Sequence, residues 1–456
     1  MMKNRFAISI LVFIVFAVPG KLLAIDLFAW LGMAGQPLAI SAPDWARRGS
    51  LLRLEYDTHE YYKRWVEDRL VNDFSGNGYH AGLTAQLLPD LAVGVRKKFA
   101  EPQTWLNNIS DKSDRFNMKS ESESGEVFLR LFRGSQVLEV GSGSGKSYFT
   151  GEYDLHPDII NALGANPPIY LNNGETRRYA SYFNSFGRWR LRLGLDELRF
   201  SHRVSAETPA MNVVLNHGRK LSRRSAELAW QNERGISPYL RYDSERDLGD
   251  GENFRDVKFK IGSNRSEVDL SALSLGGVYR HRGTRFFAEF SQLSFSADLE
   301  NGTNLITLNP LFLFGTNRVA YRVDYHPENP WAIRFGGQRV YRGVEYFVQY
   351  SYSSLSDVAT TWSSKDYDMF AKTATDITLN DTTVDLHRFA LCATRPDRSG
   401  RWQARLHLLA PIVESTERKS QILPPPGPAP APPVQDKPEE TARGGWQLTI
   451  AREFKL

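Results

Sequence analysis

Apolar residues occupy every second position in many segments of this chain, and the positions between them are polar and often basic. Trp189, Leu191, Leu193 and Leu195 alternate with Arg188, Arg190 and Arg192. Leu91, Val93 and Val95 precede Arg96 and Lys98 in the same rhythm, and Val127, Leu129 and Leu131 flank Arg130. Val257, Phe259 and Ile261 interleave with Lys258 and Lys260, and Val319, Tyr321, Val323 and Tyr325 with Arg318, Arg322 and Asp324. Trp402, Ala404, Leu406 and Leu408 oppose Gln403, Arg405 and His407. Successive side chains of a strand point to opposite faces, so each segment predicts a β-strand with one apolar and one polar face. The segments run to about 8 to 12 residues, the length a tilted strand needs to cross a hydrocarbon layer.

The connections sort into short and long. Leu88-Pro89-Asp90 and Arg395-Pro396-Asp397-Arg398-Ser399-Gly400 read as tight turns. Glu101 to Ser124, Asp154 to Thr176, Ser354 to Asp381 and Glu414 to Gly445 read as long polar connections. Counting back from the C-terminus puts most long connections on one side and gives about 20 strands. Asp243 to Asn253 is too long for the side it falls on, which signals a missed or invented strand near it. Ile422 to Pro438 is too rich in proline to donate to a sheet and belongs in a loop. One segment has helical spacing: Trp65, Leu70, Val71 and Phe74 share a face of Tyr61 to Phe74.

At the C-terminus, Trp446, Leu448, Ile450, Phe454 and Leu456 form one face and Gln447, Thr449, Ala451, Glu453 and Lys455 the other. This segment resembles the terminal recognition strand of Gram-negative outer-membrane proteins. The resemblance implies assembly by the barrel-assembly machinery. Two positions depart from the pattern: the last residue is Leu456 where the family usually has Phe, and Arg452 interrupts the apolar row. Near a membrane interface a basic group costs about 0 to 1 kcal/mol, which the strand tolerates.

Composition agrees with this reading. Aromatic residues make up 12% of the chain while mean hydropathy is -0.41, as expected of strands that are apolar on one face only. Lys3 and Arg5, the apolar run Phe6 to Val18 and the Pro19-Gly20 break match a secretory signal peptide over residues 1–24. That run is shorter than the about 20 residues a membrane helix needs. The single cysteine, Cys392, cannot form an intramolecular disulfide. The expected architecture is all-β: an antiparallel transmembrane β-barrel of roughly 16 to 20 strands with long extracellular loops and short periplasmic turns. It comprises an N-terminal periplasmic segment over 25–49 and a barrel over 50–456, with a proline-rich extracellular loop at 414–445. Its setting is the outer membrane, with lipid and lipopolysaccharide around it.

Val137-Leu138-Glu139-Val140-Gly141-Ser142-Gly143-Ser144-Gly145 resembles the glycine-rich motif of class I methyltransferases, but Lys146 to Gly151 is too short for the helix such a unit requires. The overlapping match to a phosphate-binding loop fails at Val140, where glycine is needed. The nine histidines show no zinc spacing, so no metal or other cofactor is expected. His217, His387 and His407 fall in strands, where a barrel enzyme acting on lipids would need one of them beside a serine; no enzymatic activity is expected. If the apolar rows face lipid, the lumen receives Arg96, Lys98, Arg130, Arg188, Arg190, Arg192, Lys258, Lys260, Arg318, Arg322, Arg334 and Arg405, against fewer carboxylates such as Glu227, Asp324 and Glu453. Such cations favour anions inside a low-dielectric wall, or else pair with acids to brace a sealed barrel. The first alternative predicts a passive channel or exporter for anionic solutes, acidic polysaccharides included, similar in character to basic-lumened polysaccharide-export barrels. The second predicts a closed barrel that displays its loops. The net charge of +5 does not decide between them, and nothing suggests a nucleic-acid partner.

Overall fold

The computed structural model describes residues 37–66, 69–107, 115–154, 169–207, 212–232, 235–255, 259–306, 316–325, 327, 329–367, 372–415 and 440–456. The signal segment 1–24, most of the proline-rich loop and Lys258 lie outside the described residues. After a 3-10 turn at Asp44–Ala46 come the strand segments β1 (Leu51–Val66), β2 (Arg69–Leu88), β3 (Leu91–Asn107), β4 (Arg115–Arg133), β5 (Gln136–Asp154) and β6 (Ile169–Phe186). They continue with β7 (Trp189–Glu207), β8 (Asn212–Trp230), β9 (Ile236–Arg255), β10 (Phe259–His281), β11 (Thr284–Ile306) and β12 (Thr316–Tyr325). The last are β13 (Trp331–Tyr341), β14 (Val344–Tyr367), β15 (Lys372–Asp397), β16 (Gly400–Ser415), β17 (Glu440–Arg443) and β18 (Trp446–Lys455).

Every pairing is antiparallel, and β1 closes the ring by pairing with both β2 and β18. Two strands are each split in two. β12 and β13 both pair with β11, and β17 and β18 both pair with β1, so the 18 segments make a closed 16-strand barrel. Sixteen is the lower end of the expected 16 to 20, below the about 20 that the connection count alone gave. The surplus came from invented breaks: Asp243 to Asn253 is no connection but the middle of β9, and most of Ser354 to Asp381 is ladder between β14 and β15. The described residues of Tyr61 to Phe74 are not helical. They are paired strand in β1 and β2, with Trp65 opposite Leu70 and Tyr62 opposite Phe74.

One end of the barrel carries the short turns. Gly134 and Gly187 open theirs at φ 60 and 58, where a side chain would be strained, as type II′ hairpins require. Arg282-Gly283 and Arg342-Gly343 have positive φ at both residues, the type I′ geometry whose first position ordinarily goes to Asn, Asp or Gly. Pro89-Asp90 and Arg398-Ser399 make two more. Barrels of this type carry their short turns on the periplasmic side, so this is the periplasmic end.

The outer wall displays the apolar rows. Val127, Leu195 and Leu275 are 61%, 58% and 64% exposed. Exposed aromatics, among them Trp189, Tyr279, Phe286, Tyr341 and Trp402, flank the periplasmic turns. Further up, Trp331 meets Tyr352 at 5.2 Å and Tyr56 meets Tyr79 at the same separation. Beyond the apolar band the outward face becomes charged, with Lys97 on Glu123, Lys220 on Glu197 and Arg246 on Glu267. Two aromatic girdles around an apolar band define a wall solvated by lipid. Arg452 sits in the lower girdle, between the rings of Trp402 and Phe454 and bonded to Asp397 at 2.5 and 3.1 Å.

Candidate functional site

The inward face is polar and charged, as the alternation predicted, but its acids are more numerous than expected. Arg96 bridges Glu126 at 2.7 Å and Glu139 at 2.9 Å, and Arg130 binds Glu139 at 2.5 Å. Arg177 pairs with Asp196, Arg192 with Glu227, Arg334 with Glu289, and Arg401 with Glu453. Asp243, Glu245 and Asp247, which looked like loop residues, face inward and meet Arg241, Arg223 and Arg219. Arg96, Arg130, Arg192 and Arg334 thus reach the lumen as expected but are neutralised there. Lys98 and Arg405 line a lumen cavity of about 580 Å³, and among the described residues neither has a carboxylate within ion-pair distance. Arg188 is a correction: it occupies the exposed tip of the β6–β7 turn, where the alternation ends. Lys260, Arg318 and Arg322 belong to strands β10 and β12, but their side chains, like Lys258, lie outside the described residues. The glycine-rich run 137–145 is part of β5.

The periplasmic mouth holds the feature that alternation did not reveal. Residues 37–46 of the N-terminal segment lie inside the mouth. Pro37 starts a tight turn in which Ile40 N–H donates to its carbonyl at 2.8 Å. Leu38, Ala39 and Ile40 are 1%, 0% and 2% exposed. They fill a ring of inward apolar residues, each a few positions from a short turn: Ala92, Phe132, Val137, Phe183, Ala229, Tyr239, Val278, Phe287 and Phe347. Nine strands contribute one residue apiece. Trp45, Ala46 and the lone Cys392 extend the same cluster. Burying Leu38 and Ile40 stabilises this arrangement by about 1.5 to 3 kcal/mol for each side chain.

The plug's backbone is held as closely as its side chains. Leu38 N–H donates to Glu227 at 2.5 Å. The carbonyls of Leu38, Ala39 and Ile40 accept from Arg190 at 2.8 Å, Gln231 at 3.2 Å and Arg285 at 2.8 Å. Arg190, expected to line the lumen, therefore grips the plug. Asp44 binds Arg401 at 3.1 Å. Burial acts to raise the Asp44 carboxyl, but the charge and hydrogen bond of Arg401 outweigh it and hold the group below its ordinary value. The only sequence signal for this plug was the apolar triplet Leu38-Ala39-Ile40 between Pro37 and Pro43, too short to register as an element.

Among the described residues the three histidines bond to groups other than serine. His387, on the outer wall, shares a hydrogen bond with Tyr350 at 2.7 Å. His217 meets Asn264 at 2.7 Å, and His407 accepts from Arg388 at 2.9 Å. Among the described residues no cluster of His, Cys, Asp and Glu could hold a metal ion.

A closed antiparallel barrel with a lipid-facing band, two girdles, a charged interior and short turns at one end is a β-barrel of the Gram-negative outer membrane. No family model matches the chain. No curated protein matches it either. Among solved structures, the ferripyoverdine-bound FpvA of P. aeruginosa aligns over 89% of this chain and 72% of its own at 7% identity and a TM-score of 0.40. The outer-membrane transporter YddB of Escherichia coli aligns over 81% and 61% at 11% identity and 0.38. The deltaS2S3 mutant of TodX, a monoaromatic hydrocarbon channel, aligns over 92% and 95% at 9% identity and 0.37.

Proposed function

We propose that this barrel is an outer-membrane conduit, closed at rest by its own N-terminal segment and passive once that segment is displaced. One observation carries the reading: a charged, cavity-bearing lumen stands on an apolar floor that ten residues of the N-terminus complete. A barrel of this size leaves an aqueous channel unless something fills it. Apolar packing suits a removable floor, because it is not fixed by covalent or ladder bonds. With most lumen arginines paired, the preference for anionic solutes, acidic saccharides among them, is modest and comes from residues such as Lys98 and Arg405. The role is transport and not catalysis.

The test is conductance in planar bilayers of the full chain and of a variant lacking residues 37–46, each checked for a folded barrel by heat-modifiable gel mobility. Rare openings in the first and a steady open pore with slight anion preference in the second are expected. The deep burial of Leu38, Ala39 and Ile40 also favours a second reading, a permanently closed barrel that displays its outer loops. A folded deletion variant that stays silent would establish that reading instead.

A further inference from the structure

Three arginines at the floor spend their hydrogen bonds on neutral acceptors. Arg190 and Arg285 donate to the plug carbonyls of Leu38 and Ile40. Arg280 donates at 3.0 Å to the Gln231 amide oxygen, and Gln231 in turn holds the carbonyl of Ala39. Among the described residues none of the three has a carboxylate within ion-pair distance. Glu345 attracts Arg285 only from beyond that range. Among the described residues the buried Nε of Arg280 has no hydrogen-bond partner. A guanidinium fork matches a carboxylate or phosphate in two bonds, and such charge-assisted bonds are stronger than those to a peptide carbonyl.

The turns around this mouth give an independent sign. Arg133, Arg188, Arg282, Arg342 and Arg398 are all exposed at or beside turn tips. At Arg282 and Arg342 the backbone is left-handed, with φ of 47 and 49, so a long cation stands where the turn itself favours Asn, Asp or Gly. Local strain retained at two equivalent places points to a use for the charge. Together these guanidiniums concentrate positive potential at the periplasmic opening.

We propose that the periplasmic mouth is a binding site for an oxyanion-bearing solute, carboxylate or phosphate, whose capture by Arg190, Arg280 and Arg285 withdraws their support from Leu38–Ile40 and releases the plug. The release step rests on the conduit reading above; the anion site does not. The turn arginines draw the solute in, and the three floor arginines exchange carbonyl partners for its oxygens. An open mouth then follows from occupancy of the site.

The native Cys392, packed in the floor cluster, reports the release. The full-length protein in detergent is titrated with citrate, with inorganic phosphate, and with glucose or sodium chloride at matched ionic strength. Calorimetry measures binding and maleimide measures Cys392 reactivity. Citrate or phosphate should bind and raise the labelling rate fivefold or more, the better probe showing which oxyanion geometry fits, while glucose and salt leave it unchanged. R190Q/R285Q should label fast without ligand and lose the response. R282N/R342N, which relieves the turns and keeps the fold, should need several-fold more citrate. Absence of binding, binding without faster labelling, or an equal response to sodium chloride would overturn the proposal. If citrate binds and accelerates labelling but the deletion variant never conducts, the anion site stands and the conduit reading falls. If that variant conducts and citrate does nothing, the reverse holds.

Discussion

Leu38→Ala is the sharpest perturbation of the floor, because Leu38 belongs to no strand and the change leaves the ladder untouched. The side chain is 1% exposed within a ring of Phe, Val and Ala residues. Leu→Ala at such sites costs about 2 to 5 kcal/mol, and a short segment can shift to close part of the cavity, so the lower range of about 2 to 3 kcal/mol applies. The released plug exposes this position to water, so the loss falls on the closed state alone. At about 1.4 kcal/mol per factor of ten, the open-to-closed ratio rises about 30- to 150-fold. From a resting ratio of about 1 to 99, the open fraction climbs to between about a quarter and three-fifths. Single-channel recording reads this directly. Leu275→Ala, on the lipid-facing wall at 64% exposure, is the matched control and should leave gating unchanged. An open probability for Leu38→Ala within twofold of the unmodified protein, with the folded gel band intact, would refute the argument that apolar packing holds the floor.

Two further perturbations test the polar half of the floor. Glu227, at 1% exposure, serves both Leu38 N–H and Arg192, so Glu227→Gln removes the carboxylate that compensates a half-buried guanidinium. A loss of about 3 to 5 kcal/mol should appear as a lower urea midpoint for the barrel in vesicles, and an unshifted midpoint would mean that water already reaches Arg192. Asp44 sets a pH dependence. Its carboxyl is held below its ordinary 3.8, so its hold on Arg401 is complete above about that pH and is lost as pH falls through the lower bound-state value. Open probability should therefore stay flat from about pH 7 to 4 and rise below it, while Asp44→Asn should raise it at neutral pH and remove the acid limb. A rise centred near pH 6 in both proteins would assign gating to another group.

What the sequence disclosed follows the range over which each feature is encoded. Rows such as Leu91, Val93 and Val95 need only their own strand to show which way they face, and the outer wall was legible for that reason. The Trp65 to Phe74 spacing imitated a helix because the antiparallel pairing of β1 with β2 also brings positions about five apart together, Trp65 opposite Leu70. Asp243, Glu245 and Asp247 passed for loop because a polar lumen accepts acids that a soluble core would reject, and their arginine partners lie on the same and the neighbouring strand. The plug is the extreme case. Leu38, Ala39 and Ile40 have no period, and the ring that receives them takes one residue from each of nine strands, at positions where large and small apolar side chains merely continue a polar row. Neither half has meaning alone. In a barrel whose inward face is largely polar and charged, inward Phe or Val residues recurring within a few positions of the short turns on several strands are the trace of a floor, and Phe132, Val137, Phe183, Val278, Phe287 and Phe347 all carry it. Read together, those six positions require something apolar between them, since an exposed ring of that kind would leave its surface to water at about 25 cal/mol per Å². The short N-terminal triplet is the segment that meets the requirement.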